Sequence, residues 1–148
     1  MMADSKQYWV LIVEDDPEYI ALLEAVFAYR DEKAHVTVTR SAEEAIACLM
    51  GPWRESDFQG GKLPDVIVLD INMPGVGGLG FLKWYREQPK ITHVPVAVFT
   101  SSGGPELERR SLALGASEFM VKPTDFRKLL PVVRQALDRW VGQRANSA

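Results

Sequence analysis

Val66 to Leu69 is an unbroken apolar run, VIVL, in which three residues are β-branched. Pro64 and Asp65 precede it, and Asp70, Asn72, Pro74 and Gly75 follow. A short apolar run bounded on both sides by turn-forming residues reads as a strand buried on both faces. It ends on a carboxylate at the point where the chain leaves the sheet. In open α/β sheets that rim is where ligands sit.

The same grammar recurs along the chain. Trp9 to Val13 (WVLIV) is a second buried strand, ending in Glu14, Asp15 and Asp16 before Pro17. Asp16 followed by Pro17 is a helix start: a side-chain acceptor, then a residue with no N–H to lose. Ile20, Leu23, Val26 and Phe27 continue at helical spacing. His35 to Thr39 reads as a strand, and Ser41 with Glu44 forms a capping box for a helix that Gly51-Pro52 stops. Residues 51–65 form a longer polar loop carrying Trp53 and Phe58. Leu79, Leu82 and Tyr85 mark a helix ending near Pro89. Val94 to Phe99 is a fourth strand, running into Thr100, Ser101 and Ser102. Gly103-Gly104-Pro105 opens a helix that Gly115 closes, Glu118 to Val121 is a fifth strand, and Lys122-Pro123 follows it. Asp125 caps a last helix through Trp140 and Val141; Pro131 inside it predicts a kink, or a start nearer Leu130.

A βα unit repeated about five times means a parallel sheet wrapped by helices on both faces. A closed (β/α)₈ barrel typically needs about 250 residues, and the chain has 148. The expectation is an open doubly wound sheet. In the strand order 2-1-3-4-5 the first and third strands are neighbours at the switch point. Glu14, Asp15 and Asp70 then share one rim, with Thr100 and Lys122 along the same edge. One domain is expected over residues 8–142, with flexible ends at 1–7 and 143–148.

Composition narrows the function. A net charge of -3 gives no electrostatic footprint for nucleic acid or a membrane surface. No signal-peptide core and no bilayer-length apolar run are present, and the single cysteine, Cys48, excludes an internal disulfide. A cytoplasmic protein is expected. His35 and His93 have no partners at zinc-site spacing.

Three carboxylates converging without a cation repel, and one would have to stay protonated. A divalent ion removes the conflict, and Mg²⁺ is typically held by carboxylates, water and phosphate. Lys122 adds an ammonium and Thr100 a hydroxyl. Together they suit a phosphoryl group on Asp70, since carboxylates form aspartyl-phosphates and the transfer needs mainly positioning and charge neutralisation.

VEDDP, VIVLDINMP, VFTSS and GASEFMVKP, in this order and spacing, resemble the receiver domain of bacterial two-component response regulators. The likeness runs from about Trp9 to Val141. It implies the flavodoxin-like (βα)5 fold, with Asp70 as phosphoacceptor for a sensor histidine kinase or a histidine phosphotransfer protein. It implies Mg²⁺ at Glu14, Asp15, Asp70 and the backbone carbonyl of Asn72. Thr100 and Phe119 are then the switch residues, and Lys122 pairs with the phosphate through a cis bond to Pro123. Output passes through the face made of the fourth helix, fifth strand and fifth helix, to a downstream protein partner or a second copy in a homodimer. Such a protein is no enzyme beyond its own phosphorylation and autodephosphorylation. Ser101, Phe119 and Gly77-Gly78 depart from the commoner alanine, tyrosine and Asp-Gly; the glycine pair predicts a looser loop after Asp70. With no second domain expected after the last helix, the chain resembles stand-alone receivers. The 51–65 loop and Trp140 resemble the single-domain type paired with bacterial phytochromes.

Other classes fit less well. A haloacid dehalogenase-type Mg-dependent phosphatase wants a second Asp where Asn72 stands. An FMN carrier would place phosphate beside Glu14, Asp15 and Asp16. A pseudo-receiver binding module would lack an acceptor residue, and none is missing.

Overall fold

The computed structural model describes residues 8–30, 34–50, 63–101, 103–123 and 125–128, together with 131, 132, 135 and 139. Five parallel strands form one sheet in the order β2-β1-β3-β4-β5. They are β1 (Tyr8–Val13), β2 (Ala34–Thr39), β3 (Val66–Leu69), β4 (Val96–Thr100) and β5 (Glu118–Val121). The helices are α1 (Pro17–Arg30), α2 (Ala42–Met50), α3 (Gly77–Tyr85) and α4 (Pro105–Ala113). This is the flavodoxin-like doubly wound arrangement.

Successive residues of β1 feed opposite layers, as the period of a strand requires. Leu11 and Val13 join a core with Ala45 and Leu49 of α2 and Phe81, Leu82 and Tyr85 of α3. Val10 and Ile12 join the layer under α1, with Leu23, Phe27, Val68 and Phe99. Every residue of β1, β3 and β4 is buried, which is why these strands read as continuous apolar runs.

The helix starts follow the local chemistry. Asp16 Oδ1 accepts the Glu18 N–H at 3.0 Å, and Ser41 Oγ accepts the Glu44 N–H at 3.0 Å. Gly115, at φ +108°, takes the left-handed position that ends α4. In the last segment the chain makes a 3₁₀ turn at Phe126–Lys128 and is helical at Pro131 and Val132. Asp125 caps the turn through the Arg127 N–H at 3.0 Å. A 3₁₀ turn rather than an α-helix thus follows Asp125.

One expectation is corrected. The Lys122–Pro123 bond is trans, since no described peptide bond is cis; trans is the lower-energy isomer of an X–Pro bond unless the surroundings impose the other. At the Gly77-Gly78 pair, where a looser loop is expected, the backbones approach closely at Gly78. A Cβ on Gly78 would lie 2.5 Å from the Asp70 carbonyl oxygen and from Ile71 Cα, and the Gly78 N–H donates to the Ile71 carbonyl at 3.2 Å. The missing side chain lets α3 start directly against that loop. Trp53, Phe58 and Trp140 lie outside the described residues.

Candidate functional site

The last rung between β1 and β3 pairs Val13 with Leu69, so the next residues, Glu14 and Asp70, emerge side by side. The ladder continues to their bases: the Asp70 N–H donates to the Val13 carbonyl at 2.9 Å and the Glu14 N–H to the Thr39 carbonyl at 3.0 Å. On the other side β4 ends at Thr100, whose carbonyl accepts the Lys122 N–H at 2.7 Å. Four neighbouring strands therefore deliver Glu14, Asp70, Thr100 and Lys122 to one rim.

Carboxylate oxygens of Glu14, Asp15 and Asp70 all lie within 4.8 Å of one another. Glu14 and Asp70 are buried, and Asp15 is the most open of the three. The Lys122 ammonium enters the same pocket, 2.6 Å from Glu14 Oε1 and 3.9 Å from Asp70 Oδ2, with only 6% of its side chain exposed. Backbone donors meet the other carboxylate oxygens: Asp16 N–H to Glu14 Oε2 and Asn72 N–H to Asp70 Oδ1, each at 3.2 Å.

Burial pushes the Glu14 carboxyl up from 4.5 to about 7, with Lys122 opposing the rise and the Asp70 charge adding to it. Asp70 is raised too, by burial first, against the pull of Lys122 and the Asn72 N–H. One ammonium does not make up for the water that two buried acids have lost. Oxygen donors of this kind, crowded and short of positive charge, fit a hard divalent cation. Glu14, Asp15 and Asp70 are the side chains that can hold one.

Thr100 is fully buried, and its hydroxyl oxygen accepts a 2.8 Å hydrogen bond from the Asn72 side-chain amide. Sequence reasoning assigned Asn72 only a backbone role and missed this contact. Phe119 lies on β5, half-buried, its ring edge facing Gly103. Ser101 is exposed.

Tyr19 was also missed. Its ring lies under Lys122, with Nζ 4.1 Å from the ring centroid. The signal was present: an aromatic in the first turn of a helix that begins beside the acids must sit at the rim. It was passed over because the apolar face was counted through Ile20, Leu23, Val26 and Phe27. Burial first, then the Glu14 and Asp16 charges, raise the Tyr19 phenol above 10.0, so the ring stays neutral.

A parallel 2-1-3-4-5 sheet with acids, a hydroxyl and an ammonium on one rim defines the receiver class. The family model of the response regulator receiver domain matches residues 10–134. The chain belongs to this family, and its role is that of a response regulator in two-component signal transduction. It is 33% identical over 126 residues to an uncharacterized 14.6 kDa protein from Leptolyngbya boryana, covering 85% of this chain and 87% of that one. It is 30% identical over 125 residues to the response regulator PleD of Caulobacter vibrioides, covering 84% of this chain but only 25% of PleD. The fold superposes on the phosphorylated cyanobacterial phytochrome response regulator RcpA with a TM-score of 0.82 at 24% identity, covering 93% of this chain and 96% of RcpA. It superposes on the Mn(2+)-bound form of response regulator Rcp1 with a TM-score of 0.78 at 22% identity, covering 90% and 94%.

Proposed function

We propose that Asp70 is the phosphoacceptor and that a histidine kinase or a histidine phosphotransfer protein is its donor. The observation that carries this reading is the shared pocket: an Asp70 carboxylate at the end of β3, with Glu14 and Asp15 beside it and Lys122 Nζ 3.9 Å away. In the transfer, a P–O bond forms at a carboxylate oxygen of Asp70 as the P–N bond to the donor imidazole breaks, and the ring nitrogen keeps the electron pair. Lys122 neutralises charge on the transferring oxygens, and the Thr100 hydroxyl donates to one of them. Neither residue needs to form a bond, because phosphoryl transfer is governed by position and charge.

Mg²⁺ is the proposed cofactor, held by Glu14, Asp15, Asp70 and the Asn72 carbonyl; when bound it neutralises the acids and the incoming phosphate. That Rcp1 has a Mn(2+)-bound form supports a divalent ion as cofactor. Among the described residues no helix is long and apolar enough to cross a membrane, in keeping with a cytoplasmic location. Output is assigned to the face of α4, β5 and the last helix. There Leu112 and Val121 are exposed apolar side chains, and Phe119 on β5 is half-buried. A downstream protein or a second copy of the chain would dock on that face. RcpA is a phytochrome response regulator, which makes a phytochrome the first sensor to test.

The test is intact mass after acetyl phosphate with Mg²⁺. Wild type gains one phosphoryl group and Asp70→Asn gains none. An unmodified wild type, or a modified Asp70→Asn, overturns the assignment.

A further inference from the structure

Tyr19 touches Lys122, the Pro123 carbonyl and the Phe99 ring. Lys122 Nζ lies 4.1 Å from its ring centroid. Its hydroxyl donates to the Pro123 carbonyl at 3.4 Å. Its ring packs on Phe99 with centroids 6.1 Å apart and planes tilted by 52°. The residue is half-buried against the core layer under α1, so the ring is fixed from below while its face meets the ammonium.

That ammonium has a choice of anions. It is 2.6 Å from Glu14 Oε1 but 3.9 Å from Asp70 Oδ2, and its side chain is nearly dry. In this geometry Lys122 serves Glu14 more than the residue it must assist. To meet phosphoryl oxygens on Asp70 it has to turn away from Glu14. A hydrogen-bond acceptor in place of Tyr19 would tether the ammonium along one direction. An aromatic face attracts a cation without fixing its bond directions, so the cation can turn while remaining stabilised.

We propose that Tyr19 is a positioning residue for Lys122. Its ring face holds the ammonium above the gap between Glu14 and Asp70, lets it turn from one acid to the other, and so governs how fast Asp70 gains its phosphoryl group. This rests on Asp70 being the phosphoacceptor. The ring is what acts; the hydroxyl only anchors it.

The experiment uses full-length wild type, Tyr19→Phe and Tyr19→Leu with phosphoramidate and Mg²⁺, following intact mass over time. Tyr19→Leu is expected to lower the rate at saturating donor about fivefold, and Tyr19→Phe to restore it to within about twofold of wild type, the size a desolvated cation–ring contact commands. A second readout is proton NMR of the Lys122 ε-methylene. Its ring-current upfield shift is expected in wild type and Tyr19→Phe and absent in Tyr19→Leu. If Tyr19→Leu does not fold by circular dichroism, Tyr19→Met replaces it. A wild type that is never modified overturns the phosphoacceptor reading, and this proposal with it. A modified wild type matched in rate by Tyr19→Leu overturns the role of Tyr19 alone. So does a Tyr19→Phe as slow as Tyr19→Leu, which would put the effect in the Pro123 contact.

Discussion

The Asn72 side-chain amide donates a 2.8 Å hydrogen bond to Oγ1 of Thr100, joining the loop after β3 to the end of β4. The bond fixes the hydroxyl oxygen while leaving its proton free to donate. The bond is expected to restrain movement of Thr100 towards Asp70.

Asn72→Ala therefore releases Thr100. A neutral hydrogen bond contributes about 1 kcal/mol net, and the open position of Asn72 places this one at the lower end. The expected outcome is beryllofluoride binding tightened about twofold to fivefold, measured by titration calorimetry with Mg²⁺ present. Unchanged or weaker binding would show that the amide does not restrain the hydroxyl.

The raised Glu14 carboxyl sets a pH dependence. Its folded value of about 7 lies above its ordinary 4.5, so between these values the folded chain binds more protons than the unfolded one. The stabilisation from that proton is complete below about pH 4.5 and is lost as pH rises through about 7. Metal-free protein should thus unfold at lower urea concentration at pH 8 than at pH 6, and Mg²⁺ should narrow the gap. Mg²⁺ affinity should rise across the same interval, because the ion competes with the proton. Titration calorimetry at the two pH values checks the affinity, and Glu14→Gln should flatten both trends.

Tyr85 closes α3 onto the segment before β4. Its buried hydroxyl reaches the Val94 carbonyl at 2.6 Å and the Thr92 carbonyl at 3.0 Å. Tyr85→Phe leaves those carbonyls without this donor and should cost about 1–2 kcal/mol in urea unfolding. Burial raises the phenol above 10.0. The stabilisation is thus present below that value and is lost as pH rises through the folded one; alkaline absorbance titration should show Tyr85 ionising late, along with Tyr19, and Tyr85→Phe should remove one of the two late steps.

Gly78→Ala tests the close approach of α3 to the loop after Asp70. The new Cβ would meet backbone at 2.5 Å, and backbone cannot step aside as a flexible side chain can. Overpacking of this kind costs about 1–3 kcal/mol. The strain falls on the Asp70 carbonyl itself, so slower phosphorylation should accompany a lower Tm.

The sheet and the rim could be read from sequence because strand ends are marked twice, by the close of an apolar run and by the polar residue that follows. Val13 to Glu14, Leu69 to Asp70 and Val121 to Lys122 are such transitions, and each side chain stands where that logic puts it. Strand order then sufficed to bring the acids together. The pairings inside the pocket were not legible. That Lys122 sits closer to Glu14 than to Asp70 depends on the balance among buried charges, which spacing does not encode. Asn72 and Tyr19 escaped for a related reason: both act through side chains in turns and first helical turns, where periodicity carries no information about direction. The close approach at Gly78 was not legible either, because glycine permits looseness and close contact alike, and only the neighbouring backbone decides between them.

Glu14, Asp70 and Lys122 each begin one residue past the final rung of their strands, directly after the last apolar residue, and Thr100 stands on the final rung of β4 itself. Chemistry and cohesion are thus assigned to adjacent but separate positions. Volume-conserving exchanges among the strand interiors can rewrite much of this chain without displacing a carboxylate. A single inserted residue within β3 would send a methyl group into the pocket and the aspartate into solvent.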